Sequence, residues 1–460
     1  MARSYRFILS ASALLGLVCM MAGAAVGQQP PKPAVLNLQQ VVEKAVSYSP
    51  EVAEAQNDVV SARSDLAQAE SAYYPQIETM AIAGPVRDAK EPLVVDGRIT
   101  DPSPGLSFSS IGIFGKLDII ATQPLYTFGK ISNRQEAASH GVRAKEHAIA
   151  DRKGQIALRA KQLYYGLVLA RAGLDYADES KDFFDEAAQR IRNLLDVGST
   201  NVKESDLYQV DSYRAEATRF RAEAEKGMRT AYFALKSMMG MPAGVDFEPA
   251  DRNLPLRQEE LRELDHYVRE ARTNRPEFKQ LSEALAAQEY MVKGAVSDRY
   301  PSFFAAAVGS FAGAPGRDHL SNPYISDDFN HAYGGIVAGA KWSLDFGIAK
   351  AKIDKAKAEY NKLLNTKASA EMNIPIQVAK IYQDNVEALT AVKTYKDAAV
   401  ATRKWVVTAM ADFDMGVGTA DDMLRAIERY GQNQGKYIEA LFRYNLSLAE
   451  LENAIGMKTW

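Results

Sequence analysis

Two segments of the chain alternate strictly between apolar and polar positions. Over 333–346, Ile336, Ala338, Ala340, Trp342, Leu344 and Phe346 fall on one side, and Gly335, Gly339, Lys341, Ser343 and Asp345 on the other. Over 114–125, Leu117, Ile119, Ala121 and Leu125 alternate with Lys116, Asp118 and Thr122. A period of two over such a length predicts strands with one apolar and one wet face, the pattern of a membrane barrel or of a half-buried sheet. Lys116, Asp118, Lys341 and Asp345 then face a common interior. Tyr126, Phe128, Trp342 and Phe346 cluster near the strand ends, as in an interfacial girdle. Two further strands, about 76–84 and 301–313, alternate poorly.

Elsewhere the spacing is helical. Tyr437, Leu441, Tyr444, Leu448, Leu451 and Ile455 step by four and three, and Ile149, Ile156 and Leu163 step by seven. These are seams of packed helices. The stretch 130–197 holds no proline and would span roughly 100 Å at the α-helical rise. The stretch 348–415 is as long, and Pro375 should kink it. Return helices are expected over 204–240 and 421–456, about half that length.

The chain repeats itself. Displaced by 226 positions, Leu38 meets Leu264, Val42 meets Val268, Ala45 meets Ala271, Pro50-Glu51 meets Pro276-Glu277 and Tyr74-Pro75 meets Tyr300-Pro301. Phe128-Gly129 answers Phe346-Gly347, and Val197-Gly198 answers Val417-Gly418, making Gly198 and Gly418 the expected turns between the long helices and their returns. Such an ordered series marks a tandem duplication, with repeats over 28–257 and 258–460. Each repeat reads as a short helix (38–48; 260–273), a helix opened by Pro-Glu (51–73; 277–299), two strands, the long helix and the return helix.

This organisation limits the assembly. Four strands cannot close a membrane barrel, for which about eight is the minimum. Open strand edges are not tolerated in lipid. A protomer with a membrane sheet must therefore complete it with copies of itself.

The first residues sharpen the setting. Arg3 and Arg6 precede an apolar run from Phe7 to Met21 and then Ala22-Gly23-Ala24-Ala25. That predicts a signal peptide over 1–27 and an exported mature chain. The single cysteine, Cys19, lies inside it, so the mature chain is expected to hold no disulfide, and Val18 before it argues against lipidation. No later run is long and apolar enough for a membrane helix. A formal net charge of -3, with no basic stripe, gives no reason to expect nucleic acid.

The sequence carries no familiar catalytic signature. There is no phosphate-binding glycine loop, dinucleotide fingerprint or nucleophile elbow. His140 and His147 share a helix face two turns apart, too far to grip one ion, and Asp327-Asp328 reads as a solvated loop. Neither an enzyme nor a cofactor or metal is expected.

The duplicated Leu38…Ala45…Pro50-Glu51 and Leu264…Ala271…Pro276-Glu277 helices resemble the outer membrane factor family, the TolC-like efflux proteins. So do Tyr74-Pro75-Gln76-Ile77, Tyr300-Pro301, Gln123-Pro124-Leu125-Tyr126, Leu344-Asp345-Phe346-Gly347 and Val417-Gly418-Thr419 with Asp422-Met423-Leu424. The resemblance covers nearly all of the mature chain. It implies an α+β membrane protein: a homotrimeric outer-membrane β-barrel, four strands per protomer, continued by a long periplasmic α-helical coiled-coil barrel. It further implies a passive exit duct docking with a periplasmic adaptor (membrane fusion) protein and an inner-membrane pump or ABC transporter. By position Asp206 and Asp422, with Glu204 and Asp421 nearby, would match the acids that constrict the periplasmic entrance. Met415 and Ala420 stand where an aromatic and a basic residue would lock it. The competing expectation is a periplasmic coiled-coil scaffold or adaptor without a barrel.

Overall fold

The structure, a computed structural model, describes residues 33–88, 93–100, 111–257, 260–319 and 326–460. The expected signal segment, with Cys19, lies outside them. In chain order the elements are β1 (Ala34–Leu36), α1 (Leu38–Tyr48), α2 (Pro50–Ser71), β2 (Gln76–Arg87), β3 (Leu93–Val95), β4 (Arg98–Thr100), β5 (Ile111–Tyr126), α3 (Lys130–Asp196) and α4 (Glu204–Met238). They continue as β6 (Phe247–Pro249), α5 (Leu264–Asn274), α6 (Pro276–Ser297), β7 (Ser302–Gly313), β8 (His331–Lys341), α7 (Ile348–Asp414) and α8 (Ala420–Ala454). Among the described residues no helix is long and apolar enough to cross a membrane.

The duplication is visible element by element. The long helices α3 and α7 are both 67 residues, and the returns α4 and α8 are both 35. Pro50 and Pro276 each occupy the first turn of their helix, where a missing N–H costs no hydrogen bond. Asn37 closes a capping box on α1: its side chain accepts from the Gln40 N–H at 2.9 Å while Gln40 accepts from the Asn37 N–H at 3.0 Å. The helix α7 runs through Pro375 without a break in its assignment.

The strand-proximal end of α3 is flanked by α2 and α6. Arg152 and Arg159 reach Glu51 of α2, and His140 and Arg143 reach Glu283 of α6. Further along, α4 and α8 take over. Arg214 and Arg221 of α4 pair with Asp185 and Asp178, and Tyr430 of α8 donates to Glu179 at 2.9 Å. Two long helices each backed by shorter stacked ones give an elongated helical body. Its core is divided into clusters. One, around Tyr164, Leu235, Tyr444 and Leu448, lies near mid-length. Another, around Ile191, Val210, Met423 and Ile427, lies near the far turns. On the strand-proximal side of the first cluster Lys161, with 8% of its side chain exposed, meets Glu452 at 2.7 Å, and Arg257 meets the same carboxylate at 2.9 Å.

The sequence reading placed several boundaries differently. The strand expected over 333–346 ends at Lys341. Its partner strand begins at Ser302, just after Pro301, which has no N–H with which to extend the ladder. Asp345 is consequently not an interior residue of the sheet. Its carboxylate accepts from the Ala349 N–H at 2.8 Å and the Gly347 N–H at 3.3 Å, closing the first turn of α7. Strand β2 passes through Gly84-Pro85 to Arg87, because proline is tolerated on a strand that is an edge within the chain. The short parallel pair β1–β6 and the hairpin β3–β4 had no signature in the sequence.

Candidate channel wall and far-end turns

The strands β2, β5, β7 and β8 form one antiparallel sheet in that order, so β2 and β8 are its two edges. Directly opposed residues of antiparallel strands share a face. Met80, Asp118, Ser310 and Tyr333 are thus aligned across all four strands, as are Ile82, Lys116, Ala312 and His331. This face also carries Glu78 and Lys341. The opposite face carries Ile77, Ala81, Ile113, Leu117, Ile119, Ala121, Phe303, Ala307, Phe311, Ile336, Ala338 and Ala340, and its only charged residue is Arg87 at the very end of β2. One apolar and one charged face is what a wall between lipid and water requires.

Three of the four residues expected on one face lie on the charged one, Lys116 and Asp118 toward the outer end and Lys341 at the helix-proximal end. Lys116 Nζ is 3.0 Å from the Asp118 carboxylate. The Ser310 hydroxyl, buried between the strands, is 2.6 Å from Asp118 and 2.8 Å from His331 Nε2.

At the helix-proximal end of the sheet sit the aromatics. The Tyr126 and Phe128 rings are 4.6 Å apart, and Phe128 stacks on Tyr300 at 5.3 Å. Phe128 holds a φ of 52°, turning the chain from β5 into α3. The Trp342 indole N–H donates to the Arg299 carbonyl at 3.0 Å, and the Phe346 side chain is fully exposed. The register sets Tyr126 opposite Phe303 and Phe303 opposite Ala340, two residues before Trp342, while Phe346 lies beyond the end of the ladder.

At the other end of the molecule, α3 turns into α4 and α7 into α8. Gly198 takes a φ of 74°, with its N–H on Leu195 O and the Ser199 N–H on Leu194 O at 2.9 Å. The same left-handed cap recurs at Gly416, φ 75°, with its N–H on Phe413 O and the Val417 N–H on Asp412 O at 3.0 Å. The glycine equivalent to Gly198 is therefore Gly416, two residues before the expected Gly418. The second connection is shorter, so aligning the two Val-Gly pairs put it out of register. Gly416→Ala should lower stability by about 1–2 kcal/mol, the cost of a left-handed residue with a side chain, seen as a lower unfolding temperature.

Asp206 and Asp422 occupy the same third position of α4 and α8. Asp206 accepts from the Lys203 N–H at 3.0 Å, and Asp422 accepts from the Thr419 hydroxyl at 2.7 Å. Both close first helical turns, where negative charge is favoured. Asp421 accepts from Gln209 Nε2 at 3.1 Å and pairs with Arg425, joining the two returns. The Gln209 hydrogen bond, with Arg425, holds the Asp421 carboxyl below the usual range. Glu204 is exposed in the first turn of α4.

A family model described as outer membrane efflux protein matches residues 41–241 and again 267–457. The chain belongs to the outer membrane efflux protein family. It is an outer-membrane protein whose body extends into the periplasm, and the two matched spans are its two repeats. The fold is likewise similar to solved channels of this kind. The outer-membrane channel OprN gives a TM-score of 0.75 at 16% identity, over 92% of this chain and 90% of that one. VceC of Vibrio cholerae gives 0.72 at 15%, over 92% and 97%. The open state of MtrE of Neisseria gonorrhoeae gives 0.73 at 16%, over 91% and 89%. A search of curated proteins finds no match.

Sequence reasoning missed Ser310 and His331. A serine in a poorly alternating strand and a histidine at a strand start carry no signal alone. Only the register β5–β7–β8 brings them to Asp118.

Proposed function

We propose that the protein is the outer-membrane exit duct of a tripartite efflux or type I secretion system, passively conducting small molecules or proteins to the exterior. Three copies join β8 of one to β2 of the next, giving a homotrimer with twelve strands, enough for a wide lumen. The helical bodies continue that lumen through the periplasm. There a periplasmic adaptor and an inner-membrane pump or ABC transporter would meet them. The observation that carries the reading is the four-stranded sheet with two unpaired edges and faces of opposite character. A periplasmic scaffold without a barrel would leave that apolar face in water, and apolar patches of this size are rare on soluble proteins.

In this reading Lys116, Asp118 and Lys341 line the lumen, and Tyr126, Phe128, Trp342 and Phe346 form the membrane-interface belt. Asp206 and Asp422, with Glu204 and Asp421, form a negative constriction at the periplasmic tip, turned by Gly198 and Gly416. Capping and gating are compatible, since a carboxylate that accepts one capping hydrogen bond, from a backbone N–H at Asp206 or a hydroxyl at Asp422, still presents its charge to the lumen.

Purified protein in a planar bilayer should give steady single-channel conductance with cation preference. The double variant Asp206→Asn, Asp422→Asn keeps a cap acceptor but loses the charge. Its reversal potential in a salt gradient should move toward zero. An unchanged potential would remove the acids from the gate, and no conductance in the parent would remove the duct.

A further inference from the structure

The two edges of the sheet carry one fixed charge each on the charged face, both at the helix-proximal end and opposite in sign. On β2 that face bears Gln76, Glu78, Met80, Ile82, Gly84 and Val86, so Glu78 is its only charge. On β8 it bears His331, Tyr333, Gly335, Val337, Gly339 and Lys341, so Lys341 is its only fixed charge. Both residues are exposed, and among the described residues neither meets a hydrogen-bond or ion-pair partner. Within one copy the two cannot meet. Three strand spacings, about 14 Å, separate β2 from β8. The register also sets Glu78 level with Ile120, Val308 and Gly335, six positions from Lys341.

Closure between copies removes that gap. β8 runs opposite to β2, so β2 of a second copy placed beside β8 continues the antiparallel order. Barrel strands tilt by about 35–45° and lie about 4.8 Å apart, so the four strands of one copy advance the register by about four to six residues. Only even steps are allowed, because an odd one would turn the charged face of the next copy toward lipid. The direction is fixed by length. Displaced the other way, β8 runs past the start of β2 and keeps only its first residues paired. A step of six sets Lys341 directly opposite Glu78 of the next copy. A step of four sets it opposite Gln76, with Glu78 on the diagonal, about 7–8 Å away and within reach of long side chains. Both steps bring the two charges together. The seam has need of such a pair, because β8 contains Gly334, Gly335 and Gly339, and glycine-rich strands specify register weakly.

We infer that Lys341 of one copy and Glu78 of the next form an ion pair across each seam of the wall, a clasp that fixes the register in which copies join. The inference rests on the channel reading, in which the wall closes between copies, and adds the residues that select the fit. A single exposed pair contributes little. This one recurs at every seam of the ring, and reversing one partner sets like charges against each other at all of them.

Charge reversal in separate copies tests it. Lys341→Glu and Glu78→Lys each place like charges at every seam, so the heat-modifiable oligomer in outer-membrane fractions should fall about threefold or more in either. The double variant restores opposite charges and should recover the parent's oligomer. Co-expression of the two single variants should also raise the oligomer above either alone, because every junction between unlike copies is again an opposite pair. An effect confined to one chain cannot give that recovery. Where reversal blocks insertion, Glu78→Cys with Lys341→Cys supplies a second readout. A bifunctional thiol reagent spanning about 8 Å should link inserted copies into covalent dimers and trimers. Single variants that match the parent, or co-expression no better than either variant alone, overturn the clasp. Oligomers in which the cysteine pair never links overturn it too and leave the duct standing. A parent that runs only as a monomer removes the closed wall, and the clasp with it.

Discussion

Arginine at position 336 will block assembly of the outer-membrane form, whereas arginine at position 337 will be tolerated. Ile336 lies in the middle of β8, 85% exposed in the single chain, in line with Ala307 and Ala121 on the apolar face. A guanidinium at the mid-plane of a lipid-facing strand costs about 2–4 kcal/mol, and the cost recurs in every copy. Val337 is the next residue but points to the opposite face, aligned with Ala306 and Thr122 and four positions from Lys341. There the same charge meets water. The contrast depends on nothing but the pleat of β8, because both variants add the same side chain to the same strand. Outer-membrane fractions run as heat-modifiable oligomers on gels give the readout. Oligomer lost in Ile336→Arg and kept in Val337→Arg is expected. Equal behaviour of the two would mean that the apolar face does not meet lipid.

The second large effect lies far from the membrane. Glu452 of α8 accepts from Lys161 of α3 at 2.7 Å and from Arg257 at 2.9 Å, with 15% of its side chain exposed. Glu452→Ala leaves the Lys161 ammonium buried without that carboxylate, and breaking a buried pair in this way costs about 3–5 kcal/mol. The double variant Glu452→Leu, Lys161→Met should recover most of the loss, because neither apolar side chain has a charge to desolvate. Thermal unfolding in detergent distinguishes the two. Burial pushes the Glu452 carboxyl up, but Lys161 and Arg257 outweigh it and hold it below the usual range. A depressed carboxyl stabilises the fold above its unfolded value, and the contribution is lost as pH falls through the folded value. Acidification should therefore lower the unfolding temperature of the parent more steeply than that of Glu452→Gln. Parallel curves would show that the pair contributes no pH-dependent stability.

The repeat, the long helices and two of the four sheet strands were legible because each left a period in the sequence. The strands β2 and β7 were expected over 76–84 and 301–313 without a clear period of their own, for a physical reason. Met80, Ile82 and Val86 put apolar groups on the charged face of β2, and alanines fill both faces of β7, so the period of two is masked. Alternation also ran past its strand. It continues to Phe346, but the ladder stops where Pro301 ends the partner, and Asp345 turned from wall residue to helix cap. At the far turns the residue type was right and the equivalence was not: Gly416, rather than Gly418, takes the left-handed cap that answers Gly198, while Gly418 lies in the same turn with its N–H on Asp412 O. The pairing of Asp206 with Asp422 survived that slip because both are counted from the start of the return helix. The contact of Ser310 with Asp118 joins residues 192 positions apart and had no local trace.

Engineered cysteines on the two sheet edges give the sharpest test. Within one chain β2 and β8 are separated by three strand spacings, about 14 Å, far beyond disulfide reach. The only cysteine, Cys19, lies in the expected signal segment. Pairs scanned along the apolar faces of β2 (Ile77 to Ala83) and β8 (Ala332 to Ala340) should, at one register, oxidise into covalent dimers and trimers in outer-membrane fractions. Only monomers at every register, from protein properly inserted in the membrane, would contradict a wall closed between copies.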